Sequence, residues 1–166
     1  MVNRHRNDSV VCLVDLDHFK GLNDEHGHAV GDLALAATGE RLARWAGPCG
    51  VVGRLGGDEF AVATRVESRG GEDTVEERLD QLMGMLRDPV LTEAGPICIS
   101  ASVGVAAPAY LGISALPPLL RGADVSMYRT KRTGDYGWAE IEDLKTATVN
   151  GRRAGRRGTH TLARAA

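Results

Sequence analysis

The sequence predicts an α+β fold in which helices pack on a mainly antiparallel sheet. Segments with strand-like and helix-like patterns alternate along its 166 residues. Two short apolar segments flank Gly56-Gly57-Asp58, which indicates a tight hairpin because glycine adopts positive φ at little cost. Hydrophobic residues make up 43% and charged residues 25%, close to the globular average. These observations favour one α+β domain over a doubly wound parallel sheet, a fibrous chain or a disordered one.

The individual elements follow from the spacing of apolar side chains. Residues 9–17 form a continuous apolar run that ends in Asp15 and Asp17, as expected for a buried central strand. Thr74-Val75-Glu76-Glu77 fits the capping box of a helix that Asp88-Pro89 ends. The predicted strands are 9–17, 51–55, 59–64, 97–106 and 137–142, and the other predicted helices are 18–26, 29–46 and 118–131.

Charge is distributed unevenly along the chain. Residues 146–166 hold five arginines and no acidic residue, which leaves a net charge of −7 in residues 1–145. The acidic body argues against a general nucleic-acid binder and is compatible with carboxylates gathered around a metal. The tail is predicted to be disordered, with arginine contacts to nucleic acid or acidic lipid as the alternative.

The cysteine count and the hydropathy pattern bear on the cellular environment. Three cysteines, an odd number without close pairing, argue against a disulfide framework and predict a reducing cytoplasm. No run of about 18 apolar residues occurs, so no membrane-spanning segment is expected.

Four carboxylates stand at strand ends that could be neighbours. Asp15 and Asp17 end the first strand, and Asp58 and Glu59 lie at the hairpin. If the two segments pair, Asp15 and Asp58 lie side by side and repel each other unless a cation such as Mg²⁺ intervenes. The alternatives are a solvent-facing strand end, a cap for helix 18–26 and an ordinary surface turn.

The segment that follows the first strand carries groups suited to a nucleotide. Lys20 lies at the start of a helix, where backbone N–H groups and its own charge favour anions. Asn23 and Asp32 offer an amide and a carboxylate, which could bind the N1–H and N2–H₂ donors of guanine. His28 fits a turn or a position beside guanine better than a metal site, because no other His or Cys has matching spacing. The alternative is that these residues serve as helix caps and turns.

These residues together resemble the GGDEF-domain diguanylate cyclases over roughly residues 9–142. The matching motifs are Asp15-Leu16-Asp17-His18-Phe19-Lys20, Asn23-Asp24, Gly27-His28, Gly31-Asp32, Arg54-Leu55-Gly56-Gly57-Asp58-Glu59-Phe60, Ser100 to Ala106, and Ala123-Asp124 through Tyr128 and Lys131. The resemblance implies the palm-like, ferredoxin-related sheet of nucleotide cyclases. It also implies a GGDEF domain over residues 9–145, between a remnant of an N-terminal segment (1–8) and the basic tail (146–166).

The resemblance further implies condensation of two GTP into cyclic di-GMP with release of two pyrophosphates. It places Mg²⁺, or Mn²⁺ in its place, on Asp15, Asp58 and the carbonyl of Leu16. Asp58 matches the base for the ribose 3′-hydroxyl, and Glu59 matches the second essential acid of the signature. Lys20 matches the lysine that contacts the phosphates in the transition state.

The remaining implied roles concern substrate and partners. Each half-site holds one GTP, so the resemblance implies a homodimer, and a regulatory partner protein could act on it. The other positions implied to bind substrate are Phe19, Asn23, His28, Asp32 and a second phosphate lysine, Lys131.

Several features depart from the family pattern, and two of them, Asp135 and the nearly absent N-terminal helix, favour an alternative function. Asp135 lies where the family has a basic residue, and Gly47 and Gly50 replace the Arg and Asp of a product-inhibition site, so that kind of feedback is not expected. The N-terminal helix is nearly absent, which predicts a shortened or truncated start. The alternative is a catalytically weak or inactive module that binds GTP or cyclic di-GMP and signals through a partner.

Overall fold

The computed structural model describes residues 9–65, 74–93, 95–131 and 133–146. The predicted N-terminal remnant and, apart from Thr146, the predicted disordered tail lie outside the described residues. In chain order the elements are β1 (Ser9–Leu16), α1 (Phe19–His26), α2 (His28–Ala46), β2 (Val51–Gly56), β3 (Glu59–Arg65), α3 (Val75–Arg87), β4 (Val90–Thr92), β5 (Gly95–Ile97), β6 (Ala101–Ala106), α4 (Pro108–Leu111), α5 (Leu116–Thr130), β7 (Tyr136–Trp138) and a 3₁₀ helix (Ile141–Lys145).

The main sheet confirms the predicted mainly antiparallel α+β fold. Its strand order is β2-β3-β1-β6-β7, and every neighbouring pair is antiparallel except β6 and β7, which are parallel. Strand β1 lies in the middle, between β3 and β6. This sheet, with helices packed on it, agrees with the fold that the resemblance implied.

Strand β1 is buried on both faces because helices cover both sides of the sheet. Successive side chains of a strand point to opposite faces. Val10 and Cys12 accordingly belong to the core formed with α2 and α3, whereas Val11 and Leu13 belong to the core formed with α4 and α5. This arrangement explains why β1 is a continuous apolar run rather than an alternating one.

The predicted strand at 97–106 is wrong as a single element. Residues 95–97 form β5, which pairs with β4 in a separate two-stranded sheet, and only Ala101–Ala106 continue in the main sheet as β6. The predicted last strand is also shorter than expected. Strand β7 covers Tyr136–Trp138, and Ile141–Lys145 form the 3₁₀ helix.

The helix predictions are confirmed to within two residues at their ends. The capping box of α3 forms as expected: the Glu77 amide donates to Thr74 Oγ1 at 3.2 Å, and the Thr74 amide donates to Glu77 Oε2 at 2.6 Å. Cys12, Cys49 and Cys98 are all free thiols. Among the residues described, no helix has the length and apolarity needed to cross a bilayer.

Candidate active site at the end of the central strand

Two acidic segments meet where β1 ends and β3 begins. Antiparallel pairing sets Asp15 opposite Glu59. One residue further on, the Leu16 amide donates to the Asp58 carbonyl oxygen at 3.2 Å. The hairpin between β2 and β3 is therefore fastened to the end of β1, and this brings Asp15 and Asp58 to one edge of the sheet.

Asp15 is a buried carboxyl group with other acids around it. Burial raises the pKa of Asp15, and the charges of Asp58 and Asp17 raise it further, whereas Lys131 lowers it through a hydrogen bond and its charge. Only 6% of the Asp15 residue is exposed. Such a group needs a counter-charge, since ionised carboxylates are costly to bury beside others of their kind.

Lys131 supplies a counter-charge at this position. Its Nζ lies 3.2 Å from Asp15 Oδ1. Lys131 follows the last residue of α5 as the C-cap. Sequence reasoning assigned this lysine to phosphate and missed the ion pair. No sequence signal marks the ion pair, because it depends on the parallel pairing of β7 with β6, which returns the end of α5 to this edge.

Asp17 faces the neighbouring strand. Its Oδ1 accepts a hydrogen bond from Ser102 Oγ at 2.8 Å, and its amide donates to the Ser100 carbonyl at 2.9 Å. The N-cap of α1 is His18, in the left-handed region at φ 56°, with no side-chain cap hydrogen bond. The alternative that Asp15 and Asp17 cap the first helix is therefore wrong.

Phe19 and Asn23 pack together against the start of α2. A Cβ added at Gly31 would overlap the Asn23 side chain and lie 3.2 Å from Phe19 Cζ. Gly31 thus lets α1 approach α2 closely, a role that the sequence analysis did not assign to it. The Asn23 carbonyl accepts from the Gly27 amide at 2.9 Å, which ends α1 just before His28.

The remaining predicted substrate residues have exposed side chains. Lys20 lies in the first turn of α1, His28 begins α2 and Asp32 lies in its second turn. The N-cap of α2 is Gly27, with no side-chain cap hydrogen bond, so the alternative that Asp32 serves as a cap is not supported. These three residues are free to face a ligand.

The loop between α5 and β7 is held by several hydrogen bonds. The Thr133 and Gly134 amides donate to the Thr130 carbonyl at 2.8 and 3.1 Å, and the Val103 amide donates to the Asp135 carbonyl at 3.0 Å. Arg87 Nη2, at the end of α3, donates to the Gly134 carbonyl at 2.9 Å. The sequence analysis did not identify Arg87, and only the tertiary contact reveals it.

The donor set at this edge suits a hard divalent cation with an open coordination sphere. No group of three or more His, Cys, Asp or Glu side chains in the described part of the chain is arranged to hold a metal. Asp15, Asp58 and the Leu16 carbonyl instead provide oxygen atoms from two adjacent segments. Mg²⁺ is commonly held by one or two carboxylates and completes its shell with water and substrate phosphates. The residues present fit that pattern.

Comparison with known proteins identifies what the chain is similar to. Residues 1–136 match the family model described as "Diguanylate cyclase, GGDEF domain". An uncharacterised 19.3 kDa protein from Streptomyces ambofaciens is 47% identical over 130 residues, which cover 78% of this chain and 67% of that protein. The "Probable diguanylate cyclase DgcC" of Escherichia coli K12 is 35% identical over 79% of this chain, and the match spans about a third (34%) of its length.

A solved structure agrees with these matches. The GGDEF domain of TpbB from Pseudomonas aeruginosa superposes with a TM-score of 0.71 at 31% identity, covering 84% of this chain and 81% of that one.

Proposed function

Because the chain belongs to the family of GGDEF-domain diguanylate cyclases, we propose that it condenses two molecules of GTP into cyclic di-GMP and releases two pyrophosphates. The observation that carries this proposal is the joining of two acidic segments at one edge, through the Leu16 amide and the Asp58 carbonyl. That bond holds the Asp58 backbone beside Asp15, where a cation and a triphosphate can meet.

The proposed chemistry assigns roles to the groups at this site, and Asp58 has two of them. The 3′-hydroxyl oxygen of one GTP attacks the α-phosphorus of the other, its proton passes to Asp58, and the bond to the pyrophosphate oxygen breaks. Asp15, Asp58 and the Leu16 carbonyl would hold Mg²⁺, or Mn²⁺, which neutralises phosphate charge and makes the hydroxyl more acidic. Lys20 and Lys131 would bind the phosphates, and Glu59 is the second acid at the hairpin.

The experiment incubates the purified chain with GTP and MgCl₂ or MnCl₂ and measures cyclic di-GMP by chromatography. Asp58→Asn should lower the rate about a hundredfold or more, because it removes the base and a metal ligand together. Asp88→Asn, an equal change at an exposed position after α3, is the matched control. No product from a chain that still binds GTP would reject the enzymatic proposal, and product insensitive to Asp58→Asn would reject the residue assignment.

A homodimer follows from the proposed stoichiometry. One half-site holds one GTP, so the second must come from another copy of the chain. The specific activity should therefore rise with protein concentration until the dimer saturates. Activity per mole that is independent of concentration, from a chain that sediments as a monomer, would contradict this.

Asp32 is proposed to read guanine, together with Phe19, Asn23 and His28. Its carboxylate can accept two hydrogen bonds from guanine, which adenine cannot donate. Asp32→Ser should reduce the preference for GTP over ATP at least about tenfold. Asp24→Ser, on the exposed part of α1, should leave the preference unchanged. An unchanged preference in Asp32→Ser would remove this assignment.

One observation favours a second candidate function. Asp135 lies in the loop that follows Lys131, where its Oδ1 accepts a hydrogen bond from the Tyr136 amide, and its negative charge would repel a triphosphate bound at Lys131. A chain that binds GTP or cyclic di-GMP and turns over weakly would act through a partner protein. Tight nucleotide binding with no measurable product would support this reading.

A further inference from the structure

The ion pair between Lys131 and Asp15 joins a mobile group to a fixed one. Asp15 is held in the centre of the sheet by pairing on both sides, to Glu59 and to Ser102. Lys131 reaches it from the end of α5 with a long, flexible stem, and its side chain is 35% exposed against 9% for Asp15. When the pair separates, the lysine side chain moves and the carboxylate stays.

A divalent cation and the Lys131 ammonium group repel each other if both contact the Asp15 carboxylate. Mg²⁺ binds carboxylate oxygens at about 2.0–2.1 Å, and Lys131 Nζ already lies 3.2 Å from Oδ1 of the same carboxylate. The ammonium group would then lie within a few ångströms of a double positive charge. With the cation bound, Asp15 no longer needs the positive charge of Lys131, since the cation neutralises Asp15 and Asp58 together.

We infer that Lys131 is a tethered counter-ion, which neutralises Asp15 until a divalent cation binds and is then released to receive the phosphates of the incoming nucleotide. The inference rests on the proposed function for the identity of the nucleotide. Metal binding and the availability of a phosphate-binding lysine are thereby coupled. Without metal, Lys131 and Asp15 neutralise each other, so that neither charge is left without a partner.

Lysine footprinting tests the exchange without any measurement of turnover. The chain has three lysines, Lys20, Lys131 and Lys145. Brief acetylation with and without saturating MgCl₂, followed by peptide mass spectrometry, reports each of them. The Lys131 rate should rise about three- to tenfold with Mg²⁺, because the amine loses its carboxylate partner. The rate at the exposed Lys145 should not change.

Two variants provide the controls. Asp15→Asn should give rapid Lys131 acetylation that Mg²⁺ does not alter. Lys131→Met should bind Mn²⁺ about three- to tenfold more tightly than the wild type in the absence of nucleotide, as measured by electron paramagnetic resonance of free Mn²⁺. Lys145→Met removes the same charge at an exposed position outside the proposed metal site and should stay within about twofold of the wild type.

The outcomes separate this inference from the proposed function. Mn²⁺ binding with no change in Lys131 acetylation, or equal Mn²⁺ affinity in Lys131→Met and wild type, would overturn the exchange and leave the cyclase proposal standing. Absence of cyclic di-GMP with the exchange observed would reject the cyclase proposal alone. Failure of all chains to bind Mn²⁺ would overturn the exchange together with the proposed metal site.

Discussion

Gly104 is where helix α5 lies closest to the sheet, and replacing it with alanine tests how α5 is positioned. Gly104 lies in the middle of β6, between Leu13 of β1 and Gly137 of β7. An added Cβ would overlap the Ala123 carbonyl and lie 2.6 Å from the Met127 amide nitrogen. Both are backbone atoms of α5, so no side-chain rotation can relieve the contact.

The cost can be worked from that geometry. Restoring an ordinary contact of 3.4 Å at Met127 requires α5 to move outward by at least about 0.8 Å. The movement would disturb a core in which Leu119 and Ala123 are almost fully buried. Overpacking of this kind typically costs about 1–3 kcal/mol, and the shift of a whole helix places Gly104→Ala at about 3 kcal/mol. For a domain of this size, that lowers Tm by about 6–12 °C.

Thermal and urea unfolding of Gly104→Ala measure this cost, with Gly53→Ala as the matched control. Gly53 is also a strand glycine, in β2, but nothing lies within 4 Å of its added Cβ. Gly53→Ala should change the free energy of unfolding by about 0.5 kcal/mol or less. Equal unfolding midpoints for the two variants would refute the close approach of α5. The Gly104 variant should also acetylate Lys131 faster without metal, because the displaced helix draws Lys131 away from Asp15.

Three further predictions concern other parts of the chain. Thr74→Ala removes the α3 cap and should lower the urea midpoint by the equivalent of about 1 kcal/mol; an unchanged midpoint would show that the cap adds nothing. Burial opposes ionisation of Asp143, but hydrogen bonds from Arg129 and the Glu140 amide outweigh it and lower the pKa of Asp143 below 3.8. Because the folded pKa is the lower one, this stabilisation is present above pH 3.8 and is lost as the pH falls through the folded value. The stability of Asp143→Asn should accordingly fall less steeply below about pH 4, and parallel acid titrations would contradict it. Asp135→Asn keeps an acceptor for the Tyr136 amide and should lower the KM for GTP about two- to fivefold, whereas an unchanged KM would place Asp135 away from the triphosphate.

The elements that the sequence predicted well are those with a local signal. The apolar run of β1, the capping box of α3 and the glycine turn at 56–58 each lie within a few residues. The break between β5 and β6 has no such local signal. The two segments are distinguished by their pairing partners: Ile97 pairs with β4, whereas Ala101 pairs with β1. Which strands pair depends on the whole fold, and the spacing of apolar residues along the sequence does not predict it.

The features of the candidate site likewise divide into those that the sequence predicted and those that it did not. That Asp15 and Asp58 would be neighbours was predicted from the strand and the hairpin, because each of these has a local signal in the sequence. The ion pair of Lys131 was missed because it depends on the direction of β7. Short strands of three residues carry little pattern, and the parallel pairing of β7 with β6 is visible only in the folded chain.

The direction of β7 explains why a lysine stands beside the acids. Strand β6 begins opposite the end of β1, with Ala101 facing Leu16. Helix α5 must therefore return to that same edge before β7 can run parallel to β6. The C-terminal end of a helix carries partial negative charge, and here it arrives beside Asp15. Lys131, the C-cap, offsets both the helix end and the carboxylate. Departure of Lys131 is consequently favourable only when another cation takes over this role, which ties the release of the lysine to metal binding.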